Sequence, residues 1–391
     1  MTSPEWYAGL MTGTVLDGQI DIAFLRTDGE SIMEFGPAAM VPYAEEISGV
    51  IAEAVDSAQN WNFTGPEPAI FTEAERALTH AQAHAVISVA QAHDMPLADI
   101  VAIGFHGQTV LHRPPVAGRP GPTGIGRTRQ LGDGALMAAM IGRPVVFDFR
   151  SDDMAAGGHG APLCPCYHAA LLNRAGADET VAVLNLGGVG NITWQGKDGQ
   201  LVAFDTGPAN APIDDWVRRH KAGIMDFGGK IAASGTVDHA RLTELMNKSY
   251  FSALPPKSLD RNDFLDSLAD GLSLPDGAAL LTALAGAGVA RAVEMLPARI
   301  ERLIVCGGGR HNPALLASIA EQAGVVIEPA DRLGWRGDAV EAECFAFLAA
   351  RHMAGLPVSY PGTTGVPVPM PAGRLAAPDP SARLAGSGDS A

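Results

Sequence analysis

Four glycine-bearing turns carry the residues of this chain that are best suited to chemistry. They occupy residues 9–18, 187–191, 205–210 and 306–310, each where a predicted strand ends or begins. Glycine has no side chain, so the backbone N–H groups of such turns can approach an anion closely. One turn of this kind is weak evidence, but four of them predict a nucleotide whose phosphates are held from both sides of a cleft.

Two of these turns also contain an aspartate, and together they predict a cation beside the phosphates. Asp17 follows Thr14 in the first turn, and Asp205 precedes Gly207 in the third. Carboxylate oxygens are ligands that Mg²⁺ prefers. The alternatives are an ordinary hairpin at 9–18 and a helix-capping or turn-forming aspartate at 205. The first turn is not a Walker loop, because GxxxxGK[ST] is absent. The predicted cofactor contacts are Gly13, Thr14, Val15, Leu16, Asp17, Gly18, Gly187, Gly188, Asp205, Gly207, Gly307, Gly308 and Gly309.

A cluster of acids at 148–153 precedes a glycine run at 157–160 and provides candidates for a general base. Arg150 lies within this cluster and could keep the base ionised or contact a substrate. A lone aspartate is more often a surface or capping group, but a position between a buried strand and a glycine run favours function. His106 and Gln108 follow the apolar strand 100–105, where α/β sheets place ligand contacts. A satisfied core histidine is an equal alternative for His106.

Lys257 lies in the segment Pro255-Pro256-Lys257-Ser258 and could bind a carboxylate or a phosphate. The alternative is a solvated basic loop.

Composition restricts the partners of the chain. It has 391 residues, a net charge of −16 and four cysteines. This charge disfavours non-specific binding to nucleic acid or to an anionic membrane. The cysteines are too few for a disulfide framework, the N-terminus lacks a signal pattern, and no window approaches about 18 uninterrupted apolar residues. We therefore expect a cytoplasmic protein without a membrane or nucleic-acid partner.

The elements that must position these residues occur in two similar cycles. Each cycle begins with a meander of short strands, near residues 7 and 181, and continues with alternating helices and strands. This order predicts an α/β fold with two similar lobes. We expect an N-terminal lobe at 1–145, to which part of the C-terminal segment packs back, and a C-terminal lobe with the nucleotide site at 146–365. A disordered tail rich in Pro and Gly is expected at 366–391.

The motifs taken in order resemble the anhydro-N-acetylmuramic acid kinases, in the superfamily of sugar kinases, Hsp70 and actin. The resemblance extends from about residue 7 to residue 364. Its blocks are GLMTGTxLDG (9–18), GFHGQT (104–109), QLGD (130–133), DFRxxD (148–153), GGxGAPL (157–163), NLGG (185–188), FDTGP (204–208), PPKS (255–258) and VCGGG (305–309). It implies two actin-like, ribonuclease H-like lobes with ATP and Mg²⁺ in the cleft between them.

The resemblance also implies roles for individual residues. It makes Asp153 the base that activates water for attack on a 1,6-anhydro sugar, and it places adenosine at 307–309. His106, Gln108, Arg150 and Lys257 then lie on the sugar side, and a homodimer is possible. Two alternatives remain at this point: an ordinary hexose or amino-sugar kinase, and an actin- or Hsp70-type ATPase switch.

Overall fold

The structure is a computed structural model, and it describes residues 3–12, 18–115, 124, 126–259 and 263–378. It divides into two compact units. The first comprises Met1–Gly160, Glu341–Ser359 and Val366–Ala391, and the second comprises Ala161–Val340 and Tyr360–Gly365. Residues 146–160, which the sequence predicted to open the C-terminal lobe, therefore group with the first unit.

The first unit is built on a six-stranded mixed sheet. Its strands are β1 (Glu5–Met11), β2 (Gln19–Thr27), β3 (Ile32–Pro42), β4 (Ile100–Phe105), β7 (Val145–Phe147) and β13 (Arg374–Ala376). Their order is β13-β7-β4-β1-β2-β3. The meander β1-β2-β3 is antiparallel, whereas β4 is parallel to β1 and β7 is parallel to β4. A separate antiparallel hairpin joins β5 (Gln108–Arg113) to β6 (Arg127–Leu131).

Helices cover this sheet. They are α1 (Glu45–Trp61), α2 (Ile70–Ala92), α3 (Gly134–Ile141), α4 (Ser151–Ala155) and α12 (Val340–Met353), whose first residue belongs to the second unit. Gly9 and Gly104 let α12 pack directly on β1 and β4. A Cβ at Gly9 would lie 2.0 Å from the Ala342 carbonyl oxygen, and one at Gly104 would lie 1.9 Å from that of Phe345. The bare backbone of the two central strands thus sets the position of this helix.

The second unit has a five-stranded sheet of the same design. Its strands are β8 (Val181–Leu186), β9 (Val189–Gln195), β10 (Leu201–Pro208), β11 (Arg302–Cys306) and β12 (Val326–Pro329), in the order β10-β9-β8-β11-β12. Again the first three strands form an antiparallel meander, and the last two are parallel to the first. The helices are α5 (Pro165–Arg174), α6 (Asn210–Arg219), α7 (Lys230–Ser234), α8 (His239–Met246), α9 (Ser249–Ser252), α10 (Leu274–Glu294) and α11 (Pro313–Ala323).

Helix α10 is rich in alanine and leucine along its whole length. Among the described residues it is the one helix long and apolar enough to cross a membrane, yet 72% of its most apolar window is buried inside the protein. Ala285, Val289 and Ala292 belong to the hydrophobic cluster under the second sheet. The burial identifies α10 as a core helix of this unit.

The repeated strand order confirms the predicted α/β class and the two ribonuclease H-like sheets. The prediction of a disordered tail at 366–391 needs correction for residues 366–378. There β13 pairs antiparallel with β7, and Val366 and Ala372 are buried, so sheet pairing and apolar burial order a segment whose composition suggested disorder. Residues 379–391 lie outside the described part of the chain.

Candidate active site

Asp153 lies in the first unit, in the short helix α4, and its side chain is 0% exposed. The Gly160 backbone N–H donates a hydrogen bond to Asp153 Oδ1 at 2.6 Å, and the Gly158 N–H donates to the Asp153 carbonyl oxygen at 2.9 Å. A Cβ at Gly158 would lie only 2.2 Å from Asp153 Oδ1. The glycine run therefore folds over the carboxylate so closely that a side chain at 158 has no room.

Arg150 and His106 continue this network. Arg150 Nη1 donates to the Gly160 carbonyl oxygen at 2.7 Å, and Arg150 Nη2 lies 3.1 Å from His106 Nε2. His106 Nδ1 lies 2.7 Å from the Gly107 carbonyl oxygen, to which only a protonated nitrogen can donate. Burial, followed by the positive charge of Arg150, lowers the pKa of His106 to about 3. The imidazole is therefore neutral, with its proton on Nδ1 and its Nε2 lone pair accepting from Arg150.

Gln108 begins β5 and is 3% exposed. Its side-chain Nε2 donates to the Thr109 carbonyl oxygen at 3.2 Å. The structure thus places the amide of Gln108 against its own strand, and it leaves both His106 and Gln108 little surface with which to meet a sugar.

In the second unit, the second and fourth glycine turns meet at the carboxyl ends of neighbouring parallel strands. Cys306 of β11 is paired with Asn185 of β8, so Gly187 and Gly307 leave the sheet side by side. At Gly307, where φ is +76°, a Cβ would lie 2.3 Å from Asn185 Oδ1, whereas a Cβ at Gly308 would have no atom of the described residues within 4 Å. Ligands in open α/β sheets bind at such strand ends.

The side chains of Asn210 and Arg310 form hydrogen bonds that stabilise these two glycine turns. Asn210 Nδ2 donates to the carbonyl oxygens of Leu186 and Gly187, both at 3.0 Å. The buried Arg310 makes two hydrogen bonds to the Asp338 carboxylate at 2.7 Å, and Arg310 Nε donates to Asp331 Oδ2 at 2.8 Å. These bonds hold the turn of Gly307, Gly308 and Gly309 and the turn of Gly187 and Gly188 in fixed positions, with the open side of Gly308 left uncovered by the described residues.

Asp205 and Lys257, which the sequence separated, form one cluster in this unit. The Leu259 N–H donates to Asp205 Oδ2 at 2.8 Å, and the Tyr250 hydroxyl donates to the Asp205 carbonyl oxygen at 2.7 Å. Lys257 is 7% exposed, and its Nζ donates to the Tyr250 carbonyl oxygen at 3.0 Å. Burial, and then the charge of Arg291, lower the pKa of Lys257 to about 8, against the opposing effect of Asp205.

The donors around Asp205 suit a hard cation. Asn191 is the direct partner of Asp205 across β9 and β10 and of Asn185 across β8 and β9, so the three side chains lie on one face. The Asn191 Oδ1 atom is buried and makes no hydrogen bond within the described structure. An amide oxygen in this state beside a carboxylate fits a divalent cation that takes oxygen ligands. No cluster of three or more His, Cys, Asp or Glu side chains with ligand geometry occurs in the described ranges.

The first glycine turn is only partly described. Gly13, Thr14, Val15, Leu16 and Asp17 lie outside the described residues, so the contacts predicted for them stay predictions. Gly18 is described: its φ is +75°, and its carbonyl oxygen accepts from the Tyr43 N–H at 2.8 Å.

Sequence reasoning gave no role to Asn191, Asn210 or Arg310. Thr12 lies in the first glycine turn, and the structure directs its hydroxyl inward, where it donates to the Gly107 carbonyl oxygen at 2.8 Å. The position of Asn191 within a strand, directly opposite Asp205, was the one available signal for its role, and it needs the strand register to be visible.

Comparison with known proteins tests the resemblance seen in the motifs. The family model described as anhydro-N-acetylmuramic acid kinase matches residues 5–376. A protein of Rhizobium rhizogenes with that name is 56% identical over 373 residues, which are 95% of this chain and 99% of the relative. Relatives of the same name from Brucella anthropi and Caulobacter vibrioides are 55% and 47% identical, over 95% and 94% of this chain and 99% and 97% of their own lengths. The resemblance seen in the motifs is confirmed: the chain belongs to the anhydro-N-acetylmuramic acid kinase family.

Proposed function

We propose that this kinase converts 1,6-anhydro-N-acetylmuramic acid, water and ATP into N-acetylmuramic acid 6-phosphate and ADP, as a step in cell-wall recycling. The observation that carries the mechanism is the buried Asp153 carboxylate, held by the Gly160 N–H at 2.6 Å, with Arg150 on the other side of the same glycine. The family and its named relatives support the sugar substrate.

Asp153 acts as the general base in this proposal. It takes a proton from water, the water oxygen bonds to the anomeric carbon, and the bond from that carbon to O6 breaks. The freed O6 attacks the γ-phosphorus, and the bond from that phosphorus to the β,γ-bridging oxygen breaks as ADP leaves.

The second unit supplies the nucleotide site. The turns at Gly187, Gly188 and Gly307–309 offer bare backbone to the nucleotide, with adenosine on the open side of Gly308. Asp205 and Asn191 would hold Mg²⁺, and the role predicted for Asp17 stays a prediction because that residue lies outside the described part of the chain. When bound, the cation neutralises charge on the transferring phosphoryl group. The phosphate contacts predicted for Gly13, Thr14, Val15 and Leu16 likewise stay predictions.

In this proposal Lys257 also orients the strand end at Asp205, because its buried ammonium donates to the Tyr250 carbonyl oxygen. Its predicted contact with a substrate carboxylate stays a prediction. We further propose a cytoplasmic enzyme, with a homodimer as the assembly to be tested.

Turnover of purified anhydro sugar in ¹⁸O-labelled water tests this function. We expect sugar-dependent ADP release, with label at C1 of the product. Asp153→Asn keeps the shape of the side chain but removes the base, so kcat should fall roughly 10²- to 10⁴-fold. Asp152→Asn is the matched control, because it removes one carboxylate from the same helix without touching the proposed base, and it should retain activity.

Two results would contradict the proposal. ADP release that does not depend on sugar would favour an ATPase switch. Phosphorylation of an ordinary hexose, with no label incorporated, would favour a plain sugar kinase in which Asp153 deprotonates a free hydroxyl.

A further inference from the structure

We propose that Thr12 and His106 are positioning residues, which fix the Asp153 carboxylate relative to the first glycine turn. An unbroken series of hydrogen bonds, the positioning relay, runs through the first unit. It comprises Thr12, Gly107, His106, Arg150, Gly160 and Asp153. Its effect on turnover rests on the proposed function, whereas its geometry does not.

A single protonation state satisfies every bond of the positioning relay. The Thr12 hydroxyl donates to the Gly107 carbonyl oxygen at 2.8 Å, and His106 Nδ1–H donates to the same oxygen at 2.7 Å. His106 Nε2 is then an acceptor for Arg150, which it faces at 3.1 Å. An Nε2–H tautomer would point a donor at the guanidinium and leave the Gly107 oxygen without its second donor.

The positioning relay is also mechanically stiff. Thr12, His106 and Asp153 are 2%, 2% and 0% exposed, so water cannot replace their partners. At Gly107, φ is +68° and a Cβ would lie 2.1 Å from the Leu131 carbonyl oxygen, so only glycine fits at this position of the relay. The Phe345 ring packs against the His106 imidazole, with 4.8 Å between the ring centroids.

The consequence concerns two parts of the chemistry that are far apart in sequence. Thr12 immediately precedes the glycine turn predicted to bind phosphate, and Asp153 is the proposed base. The hydrogen-bonded connection holds the Asp153 carboxylate in a fixed position relative to Thr12. Preorganisation of this kind affects kcat more than the affinity for the ground-state sugar.

Thr12→Val and Thr12→Ser test the first bond, with sugar-dependent phosphorylation as the assay. Valine removes the hydroxyl at nearly constant shape, and we expect kcat to fall about 10-fold, the value of one hydrogen bond, with KM for the sugar unchanged. Serine should restore most of the rate. His106→Asn leaves Arg150 without its acceptor, and kcat should fall roughly 100-fold.

Thr27→Val is the matched control. Thr27 is 0% exposed in β2 of the same sheet, and its hydroxyl bonds to the Ser31 carbonyl oxygen at 2.7 Å, outside the positioning relay. It should lower the urea midpoint and leave kcat unchanged. Equal kcat values for Thr12→Val and Thr27→Val would overturn the catalytic role of the positioning relay.

A measurement that needs no turnover tests the geometry. Ring ¹⁵N NMR of the wild-type protein should show His106 neutral, with its proton on Nδ1, down to about pH 4, consistent with its low pKa. An Nε2–H tautomer, or protonation near pH 6.5, would overturn the positioning relay. A wild-type protein without sugar-dependent turnover would instead refute the proposed function, and the ring tautomer would still decide the positioning relay.

Discussion

Gly158→Ala is the sharpest perturbation that the structure offers, because one added methyl group meets the proposed base directly. The new Cβ would lie 2.2 Å from Asp153 Oδ1 and 2.8 Å from Val366 Cγ1. Gly158 does not have a positive φ, so alanine is compatible with the backbone, and the effect comes from the contact alone.

The size of the effect follows from these distances. An ordinary contact begins near 3.4 Å, so the methyl and the carboxylate must separate by about 1.2 Å. That displacement is large beside the 2.6 Å hydrogen bond from Gly160 to Asp153. A misplacement of about 1 Å in a catalytic group costs on the order of 10²-fold in rate. Overpacking at this site should lower the free energy of unfolding by roughly 1–3 kcal/mol.

The assay is kcat for sugar-dependent ADP release, measured together with urea unfolding. Gly157→Ala is the matched control: φ there is +92°, but within the described part of the chain no atom lies within 4 Å of the added methyl group, so it strains the loop without reaching Asp153. It should cost roughly 1 kcal/mol of stability and little activity. Wild-type kcat in Gly158→Ala, or an equal loss in Gly157→Ala, would refute the reasoning.

Three further predictions concern buried charge and the nucleotide turn. His168 is fully buried, and burial lowers its pKa from 6.5 to about 4. The free energy of unfolding should therefore fall as the pH is lowered from 6.5 towards 4, by up to roughly 3 kcal/mol, because the unfolded state binds the proton more tightly. Urea unfolding at several pH values should show that His168→Phe loses less free energy of unfolding than the wild type over this range. Parallel pH dependences in the two proteins would contradict the prediction. Burial lowers the pKa of Lys257 to about 8, so the folded state binds fewer protons than the unfolded state between pH 8 and 10.5. Wild-type stability should therefore rise across that window relative to Lys257→Met, by up to roughly 3 kcal/mol, and a flat difference would argue against a buried ammonium. Gly308→Ala adds a methyl to open space and should weaken ATP binding without loss of stability, whereas Gly309→Ala, whose Cβ would lie 2.6 Å from Leu186 Cβ, should destabilise the fold. Unchanged ATP affinity in Gly308→Ala would contradict the proposal that the nucleotide binds at that turn.

Local sequence pattern was sufficient to predict most of the strands of the two sheets. The apolar runs at 20–25, 100–105 and 181–186 lie in β2, β4 and β8, because each is a buried strand bounded by turn residues. The hairpin β5–β6 was missed, since its strands carry His, Arg, Thr and Gln and lack an apolar alternation. Helices α8 and α9 are separate elements, because the backbone is extended at Lys248.

The sequence by itself determined the family, the two α/β cycles and the residue types that the chemistry needs. These properties depend on motifs and periodicities that are local in the chain. Only the tertiary structure decided what each polar group contacts. It turned Thr12 inward to Gly107 and joined His106 to Arg150. It also placed Asn191 Oδ1, which has no hydrogen-bond partner among the described residues, beside Asp205. The physical reason is that hydrogen-bond partners and burial are set by strand register and by packing between segments far apart in sequence, which no local pattern specifies.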